Sequence, residues 1–142
     1  MIAIACDSAG FALKQIVMQY LEDKGLKYKD FGAYDESPTD YPIFAQSVSC
    51  AILSNECTCG ILICGTGNGI SMAANRFKGI RAAICHDVFS AKAAREHNDA
   101  NILSLGARVI GVGVALECVE VFLNTNFSGM DRHRRRVGML DN

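Results

Sequence analysis

The sequence predicts an α/β fold of the Rossmann-like, doubly wound kind, with about five parallel strands in one sheet and helices on both faces. Three observations predict it. Short apolar runs alternate with amphipathic stretches along the chain. The runs are apolar throughout rather than alternating, as strands covered on both faces are. Polar and glycine residues gather at the ends of the runs, where an open parallel sheet binds its ligands.

Residues 2–6 are a compact apolar strand. Residues 11–24 place Phe11, Leu13, Ile16, Val17, Tyr20 and Leu21 at helical intervals and close at Gly25. A second strand spans 26–31, followed by a turn-rich segment, 32–42, that holds both prolines and reads as a surface loop near ligand. Residues 43–53 return to helix, and 60–64 (GILIC) form a buried strand. A glycine-rich turn at 65–69 then leads into a helix through Ala74. Residues 80–85 are a strand, 88–97 a helix, 102–105 a strand and 115–124 a long helix. No repeat or linker divides the chain, so residues 1–142 read as one domain ending in a basic helix or tail at about 129–142.

Composition sets limits on function. Half of the 142 residues are apolar and a fifth are charged, which is globular composition. The net charge of −1 gives no global field toward nucleic acid or membrane, and no apolar stretch reaches the roughly 20 residues of a membrane span. The N-terminal run reads as a first strand rather than a signal peptide, and the expected location is the cytosol. Seven cysteines, an odd number scattered through apolar segments, favour reduced thiols over a disulfide framework. Cys57 and Cys59 lack the CxxC or histidine partners of a zinc set, so no metal is expected.

Four features carry chemistry. Gly65-Thr-Gly-Asn-Gly69 joins a strand to a helix, where glycines admit a ligand to the backbone and free N–H groups face an anion. The loop has neither the dinucleotide GxGxxG spacing nor a Walker Gly-Lys-Ser/Thr ending, which leaves an anion or oxyanion cradle, or a tight turn without ligand. Cys64 abuts it; a thiolate there is stabilised by N–H groups and can act as nucleophile or base, whereas a thiol packed in the core would be inert. His97, in Arg95-Glu-His-Asn-Asp99, is a proton carrier or a cation complementing a helix end. Arg132 and Arg136 fall one helical turn apart and suit a phosphate dianion, the competing reading being a solvated basic tail. A nucleic-acid patch fits poorly, because no aromatics interleave the arginines.

Taken together, the chain resembles type B ribose-5-phosphate isomerase and its relatives, the galactose-6-phosphate and allose-6-phosphate isomerases. The matching pieces are Thr39-Asp-Tyr-Pro42, Gly60-Ile-Leu-Ile-Cys-Gly-Thr-Gly-x-Gly-Ile70, Ala73-Ala-Asn75, Gly79-Ile-Arg81-Ala, Arg95-x-His97-Asn98, Gly106-x-Arg108-Val and Arg132-His133-x-x-Arg136-Val137. The resemblance implies a homodimer, paired into tetramers in some members, with active sites at the subunit interface and no metal or organic cofactor. It implies Cys64 as the base that moves a proton between C1 and C2 through a cis-enediol. Thr66 and His97 would assist ring opening, and Asp7, Tyr41 and Asn98 would hold sugar hydroxyls. Backbone N–H groups of Gly65, Gly67, Asn68 and Gly69, with Ser71 nearby, would stabilise the enediolate. Arg108, Arg132 and Arg136 would bind phosphate, some of them from the partner. Two positions depart from the usual pattern: Ser8 stands where a histidine is expected, and Asn68 where an apolar residue is usual. Both bear on substrate identity, so a six-carbon sugar phosphate and a non-catalytic sugar-phosphate-binding module stay open beside the ribose phosphate reading.

Overall fold

A computed structural model describes residues 1–141 of the chain. The opening apolar run, β1 (Ile2–Cys6), is buried along its whole length. β3 (Cys59–Cys64) is buried apart from its first residue, and β5 (Ile102–Gly106) throughout. β2 (Tyr28–Asp30) and β4 (Ala82–Ile84) are shorter and largely half-buried. Position in the sheet explains the contrast. The strands are all parallel in the order β2-β1-β3-β5-β4, so the apolar runs sit at the centre and the mixed ones at the edges.

Successive side chains along the strands point to opposite faces and build two cores. Ile2, Ile4, Cys6, Ile61, Ile63, Leu103 and Leu105 face α1 (Phe11–Asp23), α4 (Val88–Glu96) and α5 (Val112–Asn124). Ala3, Ala5, Leu62, Cys64 and Ile102 face α2 (Tyr41–Leu53) and α3 (Asn68–Ala74). Small residues let α2 lie close on the second face: a Cβ on Gly60 would come within 2.6 Å of Val48 Cγ1. Ile61, Leu62 and Ile63 have no exposed surface, and burying each contributes about 2 kcal/mol. The third strand is therefore the anchor of both layers, and Cys64 is its last residue.

Several boundaries differ from the sequence expectation. α2 begins at Tyr41 rather than at residue 43, because Pro42 occupies the first helical turn, where a missing N–H costs nothing. α5 begins at Val112 rather than residue 115, and the arginine-rich tail is a helix, α6 (Asp131–Leu140). β4 covers only the middle of the expected 80–85 run. The side-chain amide of Asn75 replaces a strand at that edge, accepting from Ala82 N–H at 2.7 Å and donating to Ala82 O at 2.9 Å. β2 is likewise shorter than 26–31, and the chain beyond it is held by Lys14. That lysine is fully buried and pairs with Asp30 Oδ1 at 2.6 Å while donating to Ala33 O at 2.5 Å.

From β1 the chain crosses outward to β2 and then back past β1 to β3. The strand order thus reverses between β1 and β3, and a crevice opens beyond their carboxyl ends.

Candidate active site

Register brings the predicted residues together at that crevice. Cys64 lies opposite Gly106, and Cys6 opposite Ile63, so the segments after β1, β3 and β5 leave the sheet side by side. Asp7 follows β1 and accepts the Gly10 N–H on Oδ1 at 3.1 Å, which fixes the turn on which Ser8 stands. The Ser8 N–H donates to Thr39 Oγ1 at 3.1 Å, tying the loop after β2 to the same edge. Tyr41, at the start of α2, lays its ring against Gly69, where an added Cβ would come within 2.6 Å of the ring. Arg108 N–H bonds Gly65 O at 2.9 Å, and its side chain passes over Gly65.

Cys64 is 5% exposed, and its sulfur is turned toward the glycine loop. The Gly67 N–H donates to Cys64 Sγ at 3.1 Å. This geometry depends on a left-handed turn: Gly67 has φ of 82°, which a side chain would strain, and there a Cβ would meet the Leu105–Gly106 backbone at 3.2 Å. Five of the other thiols are shifted upward, Cys6 among them even though the Ala33 backbone acts on it in the other direction. Burial pushes Cys6 and Cys118 up to about 11 and Cys85 up to about 12, and raises Cys57 and Cys59 as well.

The glycine loop is a narrower cradle than the sequence implies. Its Gly67 N–H is engaged by sulfur, its Asn68 N–H donates to Thr66 Oγ1 at 3.2 Å, and Ser71 Oγ donates to Asn68 O at 2.9 Å. Ser71 is thus turned onto its own turn of helix, whereas Thr66 and Asn68 are exposed. The first-turn amides of Gly69 and Ile70 have no intrahelical carbonyl to bond. They are donors open to an oxyanion.

His97 and Asn98 are elsewhere. The topology places them away from the crevice. α4 starts at the carboxyl edge, after β4, and runs back down, so its C-terminal residues lie at the amino edge of the sheet. β5 has five residues, which separates His97 from the Cys64 end by about 16 Å or more. Arg132 and Arg136 go with His97, since α6 docks there. His133 is buried with its ring 4.7 Å from that of His97, and its Nδ1 lies 2.6 Å from Ser128 Oγ. Two clefts of about 340 and 370 Å³ open on this side, the first lined in part by Asn98, Arg81 and Leu140. The expected site is therefore split. Asp7, Ser8, Tyr41, Cys64, Gly65–Gly69, Ser71 and Arg108 sit at one edge, and His97, Asn98, Arg132 and Arg136 at the other.

A family model described as ribose/galactose isomerase matches residues 2–140. The chain belongs to that family. It is 44% identical to ribose-5-phosphate isomerase B of Escherichia coli over 136 residues, covering 96% of this chain and 91% of that protein. The solved structure of Thermotoga maritima ribose 5-phosphate isomerase superposes with a TM-score of 0.96 at 51% identity, covering 99% of this chain and 96% of that one. The Clostridium thermocellum ribose-5-phosphate isomerase B structure gives 0.97 at 46% identity, covering 99% and 94%. The isomerase family membership and the five-stranded parallel sheet agree with each other.

One residue at the carboxyl edge, marked in the sequence by its place after a strand, has no role assigned from sequence. His86, just beyond β4, accepts the Gly106 N–H on Nε2 at 3.0 Å and so holds the strand end that faces Cys64. Among the described residues, no three His, Cys, Asp or Glu side chains gather closely enough to hold a metal ion, and no helix is long and apolar enough to cross a membrane.

Proposed function

We propose that the chain interconverts ribose 5-phosphate and ribulose 5-phosphate, with Cys64 as the base. The observation that carries this reading is the Gly67 N–H donated to Cys64 Sγ, in a family of isomerases, at the point where strand order reverses. In the aldose-to-ketose direction the thiolate takes the proton from C2. The electron pair becomes the C1–C2 double bond, and negative charge moves to the carbonyl oxygen on C1. That oxygen and the neighbouring hydroxyl lie cis in the enediol. The hydroxyl on C2 passes its proton to the oxygen on C1, and as the ketone forms at C2 the thiol returns its proton to C1, which restores the thiolate.

The first-turn amides beyond Gly67 stabilise the oxygen on C1 as its charge develops, and a lost donor of this kind costs about 3 kcal/mol. Thr66 and His97 assist ring opening; Asp7, Ser8, Tyr41 and Asn98 hold hydroxyls. Arg108, Arg132 and Arg136 take the phosphate, whose binding energy positions a carbon remote from it. Because these residues lie at two edges of one chain, the reading requires a second copy. In a homodimer the His97 and arginine edge of one protomer, carried partly on α6, completes the Cys64 edge of its partner.

A second reading, a six-carbon sugar phosphate, is favoured by the small side chain of Ser8 beside Asp7 and by a family description that includes galactose. A coupled isomerase assay with ribose 5-phosphate, allose 6-phosphate and galactose 6-phosphate decides between them. The ribose phosphate should show the highest kcat/KM. Preference for a hexose phosphate transfers the assignment, and turnover of none of them overturns it.

A further inference from the structure

Of the ten residues of α6, only His133 is buried, with Val137 half-buried. Packing on this scale does not hold so short a helix in place by itself. Its far end is held by an ion pair: Arg81 Nη1 lies 3.1 Å from Asp141 Oδ2. The same guanidinium reaches a second segment. Its Nε donates to Asp99 O at 2.9 Å and its Nη2 to Asp99 Oδ2 at 3.3 Å, while Arg95 Nη1 holds Asp99 Oδ1 at 3.0 Å. Asp99 directly follows His97 and Asn98. Its φ of 45° lies in the left-handed region, which an aspartate tolerates when its surroundings hold it there. One arginine thus touches both the turn that carries His97 and Asn98 and the helix that carries Arg132 and Arg136.

We infer that Arg81 is a positioning residue for phosphate recognition, one that sets the spacing between the His97–Asn98 turn and α6. This rests on the reading of Arg132 and Arg136 as phosphate ligands. The guanidinium suits the task because its planar fork spans two carboxylates and a carbonyl at once, which the point charge of a lysine does not. The two carboxylates are about equally exposed, Asp141 at 33% and Asp99 at 35%, but Asp99 is held by two arginines and so is the more firmly fixed.

The test uses the full chain with Asp141→Asn, Arg81→Gln and Arg81→Lys, and three readouts. These are steady-state kinetics with the sugar phosphate, calorimetric affinity for inorganic phosphate, and hydrogen exchange in α6. Asp141→Asn should weaken phosphate binding and raise KM by about twofold to fivefold, with kcat unchanged. Arg81→Gln should do so by about tenfold, and Arg81→Lys should resemble it rather than the parent protein. Exchange should quicken in α6 but not in β1 or β3. Should Arg81→Gln fail to fold, Asp141→Asn still decides, because it removes a single part-buried pair at the end of α6. Phosphate affinity unchanged in these variants but lost in Arg132→Ala overturns the role of Arg81 alone. Affinity kept in all of them, Arg132→Ala included, removes the phosphate assignment beneath it.

Discussion

A thiol serves as a base only where it can reach a substrate carbon, and Cys64 stands at the glycine loop with the Gly67 N–H on its sulfur. Burial pushes Cys6, Cys85 and Cys118 up to between about 11 and about 12. Cys64→Ala should therefore lower kcat by at least ~100-fold with KM nearly unchanged, while Cys118→Ala leaves kcat as it is. Equal turnover in Cys64→Ala and the parent would falsify the base assignment. Gly67→Ala tests the donor separately. Its left-handed φ costs an L residue about 1 kcal/mol, and relief of that strain turns the N–H away from sulfur, so kcat should fall about tenfold or more. At this scale the sequence was informative about Cys64, because a strand-end cysteine before glycines is a local pattern. It said nothing of which loop amides are already engaged, since that depends on how Thr66 and Gly67 turn.

Helices carry the next set of consequences. α6 is docked through His133, which burial, then the charges of Arg132, His97 and Arg136, hold below the usual histidine value of 6.5. The docked helix favours the neutral ring, and the undocked helix binds the proton more readily. Docking is therefore complete above about pH 6.5 and weakens as pH falls below it. Hydrogen exchange in α6, corrected for its intrinsic pH dependence, should quicken between pH 7 and pH 5, and His133→Leu should abolish the trend. A trend that persists in His133→Leu assigns it to another group. α1 offers a stability test of a different kind. Lys14→Met leaves Asp30 and Ala33 O without their buried cation, and should cost about 3 kcal/mol in urea unfolding; a loss below about 1 kcal/mol would show the pair to be dispensable. The helical nature of 131–140 was legible only as an option, because arginines favour helix and solvated tail alike and the docking contact is tertiary.

At the scale of the whole molecule, the residues of the proposed site fall at two edges of one chain. Most of the fold was legible: three apolar runs became the buried central strands, and the residues after them gathered at one edge. The amino-edge place of His97 and Asn98 follows from helix direction in a parallel sheet, which puts any residue between a helix and the following strand there. Subunit complementation reads the split site most directly. Cys64→Ala and His97→Asn are each made as inactive homodimers, dissociated, mixed in equal amounts and reassembled. Half of the randomly formed dimers are hybrids, and each hybrid carries one site with both side chains intact, so about a quarter of the parent activity should return. A mixture no more active than either variant alone would contradict a site shared between two copies.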